Sequence, residues 1–248
     1  MTASGALPNL VVIGAMKCGT TALHRYLDAH PDVGMAARKE VNFFVGEQAA
    51  QAPDSPAGPG QWHRGVQWYA SLFDASCPVR GESSPGYTSP DHPAVAARMA
   101  ATVPGARLVY LVRDPVHRAV SQYRHHQRDG AETRPQFDAI LDPDSQYIAR
   151  SRYHARLEPF LRHFTTEQVL VVVQERLLAH RRAELSRVYA HCGADPQWWD
   201  EALQQRWHVG ADTEQVPDRL RHAVAEQVYE DTDKLRTFMA DDLAEWTR

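Results

Sequence analysis

The chain has 248 residues, 43% of them hydrophobic and 23% charged, which suits one α/β domain spanning 1–248 with a sizeable core. A formal net charge of −4 excludes a general polyanion-binding surface, so nucleic acid is not an expected partner and any anion site is local. Cys18, Cys77 and Cys192 lack Cys-x-x-Cys spacing, and no basic leader or membrane-length apolar run is present; a cytoplasmic protein without structural zinc or a membrane span is expected.

The first element is Leu10-Val11-Val12-Ile13, a short β-branched run that reads as a buried strand and turns at Gly14. Ala22, Leu23, Tyr26 and Leu27 then recur at helical spacing until His30-Pro31-Asp32 closes the segment. Ala49 to Gly65 is rich in Ala, Gln, Pro and Gly and reads either as a mobile flap over a site, at 49–65, or as a surface insertion. A second strand, Arg107 to Val112, runs into Arg113-Asp114-Pro115, where Asp114 suits a helix cap and Pro115 the first turn of a helix reaching about Arg128. A helical stretch from Arg152 to His163 precedes a third strand, Val169 to Val173, and helical periodicity returns from Pro217. Continuous apolar strands alternating with helices imply a parallel sheet flanked by helices on both faces, with ligands at the carboxyl ends of the strands.

Between the first strand and helix lies Gly14-Ala15-Met16-Lys17-Cys18-Gly19-Thr20-Thr21. A turn here aims backbone N–H groups and the positive end of a helix at an entering anion, with Lys17 adding a full charge and the threonines hydroxyl donors. Lys17 precedes Gly19, whereas the loop of nucleoside-triphosphate kinases places lysine after the second glycine. The order Lys-x-Gly-Thr-Thr after an apolar strand resembles the 5′-phosphosulfate loop of sulfotransferases that use 3′-phosphoadenosine 5′-phosphosulfate (PAPS). That resemblance implies a P-loop-type fold and assigns the 5′-phosphate to Lys17, Cys18, Gly19, Thr20, Thr21 and Ala22, with Lys17 reaching the sulfuryl group. Cys18 is at a variable position of that pattern, and Lys17 and the helix end are expected to acidify its thiol.

The segment Arg113 to Ser121 resembles the same family's 3′-phosphate site, in which an arginine ends a strand and a serine lies on the next helix. Arg113 is expected to take the phosphate bidentately and Ser121 to add a hydroxyl. Lys39-Glu40-Val41-Asn42-Phe43-Phe44, Gly81 to Tyr87 and Tyr153 to Phe164 resemble successive segments of the heparan sulfate branch and its bacterial relatives, so the likeness covers most of the chain. It implies Glu40 as general base, with the histidines or Glu82 next in line. Asn42 and Ser83 stand where the glycan enzymes typically carry histidine and often lysine, which argues against a heparan-like acceptor. His117, His125 and His126 read as surface residues. Arg206, within Gln205 to Gly210, is a candidate for closing the nucleotide site, while Trp198 and Trp199 read as packing residues.

The expected reaction is transfer of a sulfuryl group from PAPS, without a metal, to a hydroxyl or amine of a small-molecule, glycan or carrier-bound acceptor. The alternatives are a P-loop small-molecule kinase, which would need Mg²⁺ and usually a strand-end aspartate where this chain has Arg113, or a nucleotide-binding protein without catalysis. Acceptor identity and oligomeric state are not legible.

Overall fold

The computed structural model describes residues 6–46, 60–204 and 216–247. Leu10, Val11, Val12 and Ile13 have no solvent exposure, so the apolar run forms a strand covered on both faces, β1 (Leu10–Gly14). It is followed by α1 (Thr20–Asp28), β2 (Val33–Met35), α2 (Gly65–Ala70), β3 (Val79–Ser83), α3 (Val95–Thr102), β4 (Arg107–Val112), α4 (Pro115–Arg128), α5 (Gln136–Leu141), α6 (Gln146–Ser151), α7 (Tyr153–Leu161), β5 (Val169–Val173), α8 (Gln174–Ala179), α9 (Arg181–Cys192) and α10 (Asp218–Met239). The five strands make one parallel sheet in the order β2-β3-β1-β4-β5. The connections leaving β1 toward β2 and β4 toward β5 run to opposite sides, so the crevice at the carboxyl ends of β1 and β4 is a topological switch point.

Two strands escape the sequence pattern. β2 is only three residues long, and β3 reads Val-Arg-Gly-Glu-Ser, with a charge at two of its five positions. β3 is nevertheless interior, because Glu82 is fully buried and its carboxylate accepts hydrogen bonds from the hydroxyls of Tyr69 at 2.6 Å, Ser84 at 2.6 Å and Tyr87 at 2.7 Å. Burial raises the Glu82 pKa against these three donors.

The main core surrounds the sheet, and a second apolar cluster joins α4, α5, α6 and α10 through Val116, Val120, Ile140, Ile148, Leu220, Val224 and Val228. The i, i+4 spacing on α10 gives it one buried stripe against that layer, which fixes α4 beside the carboxyl end of β4. Residues 49–59 of the anticipated flap lie outside the described residues; at its far end Gly60 and Gln61 are buried and the Gln61 N–H donates to the Asn42 carbonyl. No helix of the described residues is long and apolar enough to cross a membrane.

Candidate functional site

The loop after β1 is shaped by two glycines. A Cβ on Gly14 would sit 2.3 Å from Thr88 Oγ1, so only glycine lets this strand end pass the neighbouring turn. Gly19 has φ of 90° and starts α1 without any side-chain cap, and the first turn carries no acidic residue. The Ala22 and Leu23 N–H groups both donate to the Gly19 carbonyl, leaving the Thr20 and Thr21 amides at the open end of the helix. Lys17, itself at φ 69°, is half-buried in the same turn. Backbone donors, an uncapped helix and a lysine converge here on a place for an anion.

Cys18 departs from its expected role. Its side chain is fully buried, burial pushes its thiol up to about 11 against the Tyr153 hydrogen bond and nearby Arg118 and Arg113, and the side chain faces the core. Its Sγ lies 3.5 Å from the Tyr153 hydroxyl. That hydroxyl donates to the Arg113 carbonyl at 2.7 Å and accepts from the Arg113 N–H at 3.3 Å. Tyr153 thereby ties the loop after β1 to the end of β4. Sequence alone could not assign this role, because the partners lie 135 and 40 residues away.

At the end of β4, Asp114 caps α4 by accepting the His117 N–H at 2.9 Å. Arg113 and Ser121 are both half-buried, one at the strand end and the other two turns along the helix. The Asp114 N–H donates to Glu175 Oε1 at 3.0 Å, and Trp246 Nε1 holds the other Glu175 oxygen at 3.3 Å. Arg118, between the two expected phosphate ligands, is fully buried and donates to Ser151 Oγ at 2.7 Å, Gln122 Oε1 at 2.6 Å and the Tyr147 carbonyl. Surrounded by protein acceptors, it braces α4 against α6.

Glu40 is not in a helix: it follows β2 at φ 61°, its N–H donates to the Ser83 carbonyl at 2.9 Å, and its carboxylate pairs with Lys39 Nζ at 2.5 Å. His125 on α4 is half-buried and held below its ordinary pKa by burial and by Lys17, with Asp129 and Glu40 opposing. His24 was overlooked: it is buried on α1, its Nδ1 lies 3.1 Å from Ser83 Oγ, and burial lowers its pKa against the pull of Asp28. Its position one turn after Thr20 was the available signal.

Three other readings change. Glu82 is sequestered by three hydroxyls and is removed from the candidate bases. His126 is buried against Tyr147 instead of lying on the surface, with Nδ1 3.0 Å from the phenol oxygen. Asn42 is a buried turn residue at φ 53°, a conformation asparagine tolerates well, so its departure from the glycan pattern has a backbone explanation. Trp198 packs on His30 and Tyr189, as a packing residue should. Arg206, with the rest of 205–210, lies outside the described residues.

Comparison with known proteins gives one consistent result. The sequence profile of the sulfotransferase family matches residues 8–201. Heparan sulfate glucosamine 3-O-sulfotransferase 3B1 of Mus musculus is 32% identical over 202 residues, 77% of this chain and 47% of that protein. The bifunctional heparan sulfate N-deacetylase/N-sulfotransferase 1 of Caenorhabditis elegans is 31% identical over 188 residues, 69% of this chain and 20% of that one, so the chain spans between a fifth and a half of these curated relatives. Among solved structures, a sulfotransferase from Alicyclobacillus acidocaldarius superposes with a TM-score of 0.80 at 29% identity, covering 98% of this chain and 100% of that one.

Proposed function

The chain belongs to the sulfotransferase family, and from that premise we propose that it moves a sulfuryl group from PAPS to a hydroxyl or amine, releasing 3′-phosphoadenosine 5′-phosphate (PAP). What supports this reading is that the Lys17 loop and the Arg113–Ser121 segment lie at the ends of adjacent strands, joined through Tyr153. The uncapped start of α1, with Lys17, Gly19, Thr20 and Thr21, suits the 5′-phosphosulfate, and Arg113 with Ser121 suits the 3′-phosphate. A nucleotide phosphorylated at both ends of its ribose needs two such sites.

In this reading Lys17 neutralises charge developing on the leaving phosphate, while the loop amides hold its oxygens without reorganising. The Cys18 and Ala22 N–H groups are taken by the Ala15 and Gly19 carbonyls, so these two residues shape the loop. Glu40 takes the acceptor proton; its backbone N–H is anchored to the Ser83 carbonyl at the end of β3, next to the strand that leads into the phosphate loop. The test is calorimetry of PAP against adenosine 5′-phosphate, followed by a mass-spectrometric search for added SO₃ with PAPS and candidate acceptors. Equal affinity for the two nucleotides overturns the 3′-site assignment; phosphoryl transfer from ATP with Mg²⁺ in place of sulfuryl transfer would favour the kinase.

A further inference from the structure

We propose that a cavity beside the phosphate loop receives the acceptor and selects a small hydroxyl compound bearing an amine rather than a polyanion; this rests on the sulfuryl-transfer reading above. The cavity measures about 650 Å³, inside the span of roughly 300–1,000 Å³ that accommodates a drug-sized ligand. One wall is the turn into α3, from Asp91 to Arg98, and the other is the connection between α4 and α6, from Ala131 to Gln146. Phe44 and Gly46, just after Glu40, close the end between them.

A buried guanidinium connects this cavity to the phosphate loop. Arg150 is 5% exposed; its Nη1 lies 3.4 Å from the Met16 sulfur, next to Lys17, and its Nη2 lies 3.4 Å from Asp91 Oδ2 on the cavity wall. The residue before Lys17 and the cavity wall are thus held by one side chain. On the opposite side, α4 contributes the buried His126 to the lining.

The charges lining this space decide its chemistry. It has three carboxylates, Asp91, Glu132 and Asp144, against two guanidiniums, Arg98 and Arg134. Both guanidiniums are engaged within the protein. Arg134 is held by Glu132 at 2.8 Å and Asp142 at 2.6 Å, and Arg98 donates to the Phe44 carbonyl at 3.0 Å while standing over the Trp62 ring. Asp144 is exposed at the rim, and the Asp91 side chain is 61% exposed. His92, on the same wall, is kept below its ordinary pKa by burial, which disfavours its charged form. An ammonium group approaching this rim meets the exposed Asp144 and the outer face of Asp91, which Arg150 holds only from the buried side at 3.4 Å, whereas a sulfated or carboxylated acceptor meets a lining with one more carboxylate than guanidinium.

The experiment is calorimetry on the full chain, with and without saturating PAP, using tyramine, 3-(4-hydroxyphenyl)propionate and a heparin tetrasaccharide as probes. Tyramine is expected to bind about tenfold more tightly than the propionate, with the tetrasaccharide weakest. Ala94→Trp, which fills the cavity away from the phosphate loop, is expected to weaken tyramine roughly tenfold or more while PAP affinity stays unchanged. Asp144→Arg is expected to reverse the order of tyramine and the propionate. Tighter binding of either anion to the unmodified chain, no tyramine binding at millimolar concentration, or unchanged tyramine affinity in Ala94→Trp overturns the proposal. Failure of the donor reading looks different, because PAP binding is then missing while the probes still report on the cavity.

Discussion

Helices α1 and α4 leave the same edge of the sheet after neighbouring strands, yet they begin in opposite ways. α1 starts at Gly19 with no side-chain cap and no acid in its first turn, so its end is open to an external anion. α4 starts at Asp114, whose own carboxylate occupies the first-turn amide of His117, so its end is closed. Main-chain donors and Lys17 can therefore build the site at α1, whereas any anion site at α4 must be built from side chains, Arg113 at the strand end and Ser121 along the helix. In the proposed reading, substitutions at the first should disturb catalysis, because the transferring group would lie there; those at the second should disturb nucleotide choice.

The sharpest test of that contrast is at the open end. Glu40→Gln is expected to lower single-turnover sulfuryl transfer by roughly 10²–10⁴-fold, the usual value of a positioned base, with PAP affinity nearly unchanged. Lys17→Ala is expected to reduce turnover and also weaken PAP, since its charge acts on ground and transition states alike. If Glu40→Gln kept near-normal turnover, His125 or His24 would become the base to test next. The open end also has a closed floor: with the Cys18 thiol pushed up to about 11 from 9.0, its thiolate fraction falls about a hundredfold relative to an ordinary cysteine. Iodoacetamide at pH 8 followed by peptide mass mapping should label the half-buried Cys77 well before Cys18. Early labelling of Cys18 would contradict its burial behind Tyr153.

At the closed end, Arg113→Ala is expected to cost about 1.5–3 kcal/mol in PAP binding while leaving adenosine 5′-phosphate nearly untouched. Equal losses for both nucleotides would move Arg113 out of the 3′ site.

The same contrast explains what the sequence could show. β1, β4 and β5 were legible because each is an apolar run covered on both faces, and the starts of α1 and α4 were legible from Gly19 and from Asp114-Pro115. β3 was hidden because its burial depends on Glu82 finding three hydroxyls, one of them on Tyr69 thirteen residues away. Lys17, Arg113 and Ser121 were nameable because the sulfotransferase resemblance puts such residues at fixed offsets from strand ends, and the apolar runs of β1 and β4 mark those ends. Tyr153 and Arg150 were not, since their roles exist only once α6 and α7 lie beside the loop after β1. The acidity assigned to Cys18 failed for a related reason: helix ends and lysines lower a thiol pKa where the sulfur faces them, and here it faces the core.

The smallest effect isolates the cap itself. Asp114→Ala removes the acceptor for the His117 N–H and is expected to destabilise the fold by about 0.5–2 kcal/mol in urea denaturation. Asp114→Asn keeps an oxygen for that amide and should recover most of the loss. The remaining difference is the carboxylate charge, and its pH dependence has a definite sign. Burial acts to raise the Asp114 pKa, but the His117 N–H and ring, 3.4 Å away, and Arg221 outweigh it and hold the group below its ordinary 3.8. A carboxylate with a depressed folded pKa contributes stability that is fully present above the unfolded value and lost as pH falls through the folded one. The part of the advantage over Asp114→Asn that comes from the carboxylate's own titration should therefore be lost only below about pH 4. An advantage unchanged down to pH 2, or an Asp114→Ala variant as stable as the parent, would mean that the α4 start does not depend on its cap, and the contrast with α1 would then rest on Arg113 and Ser121 alone.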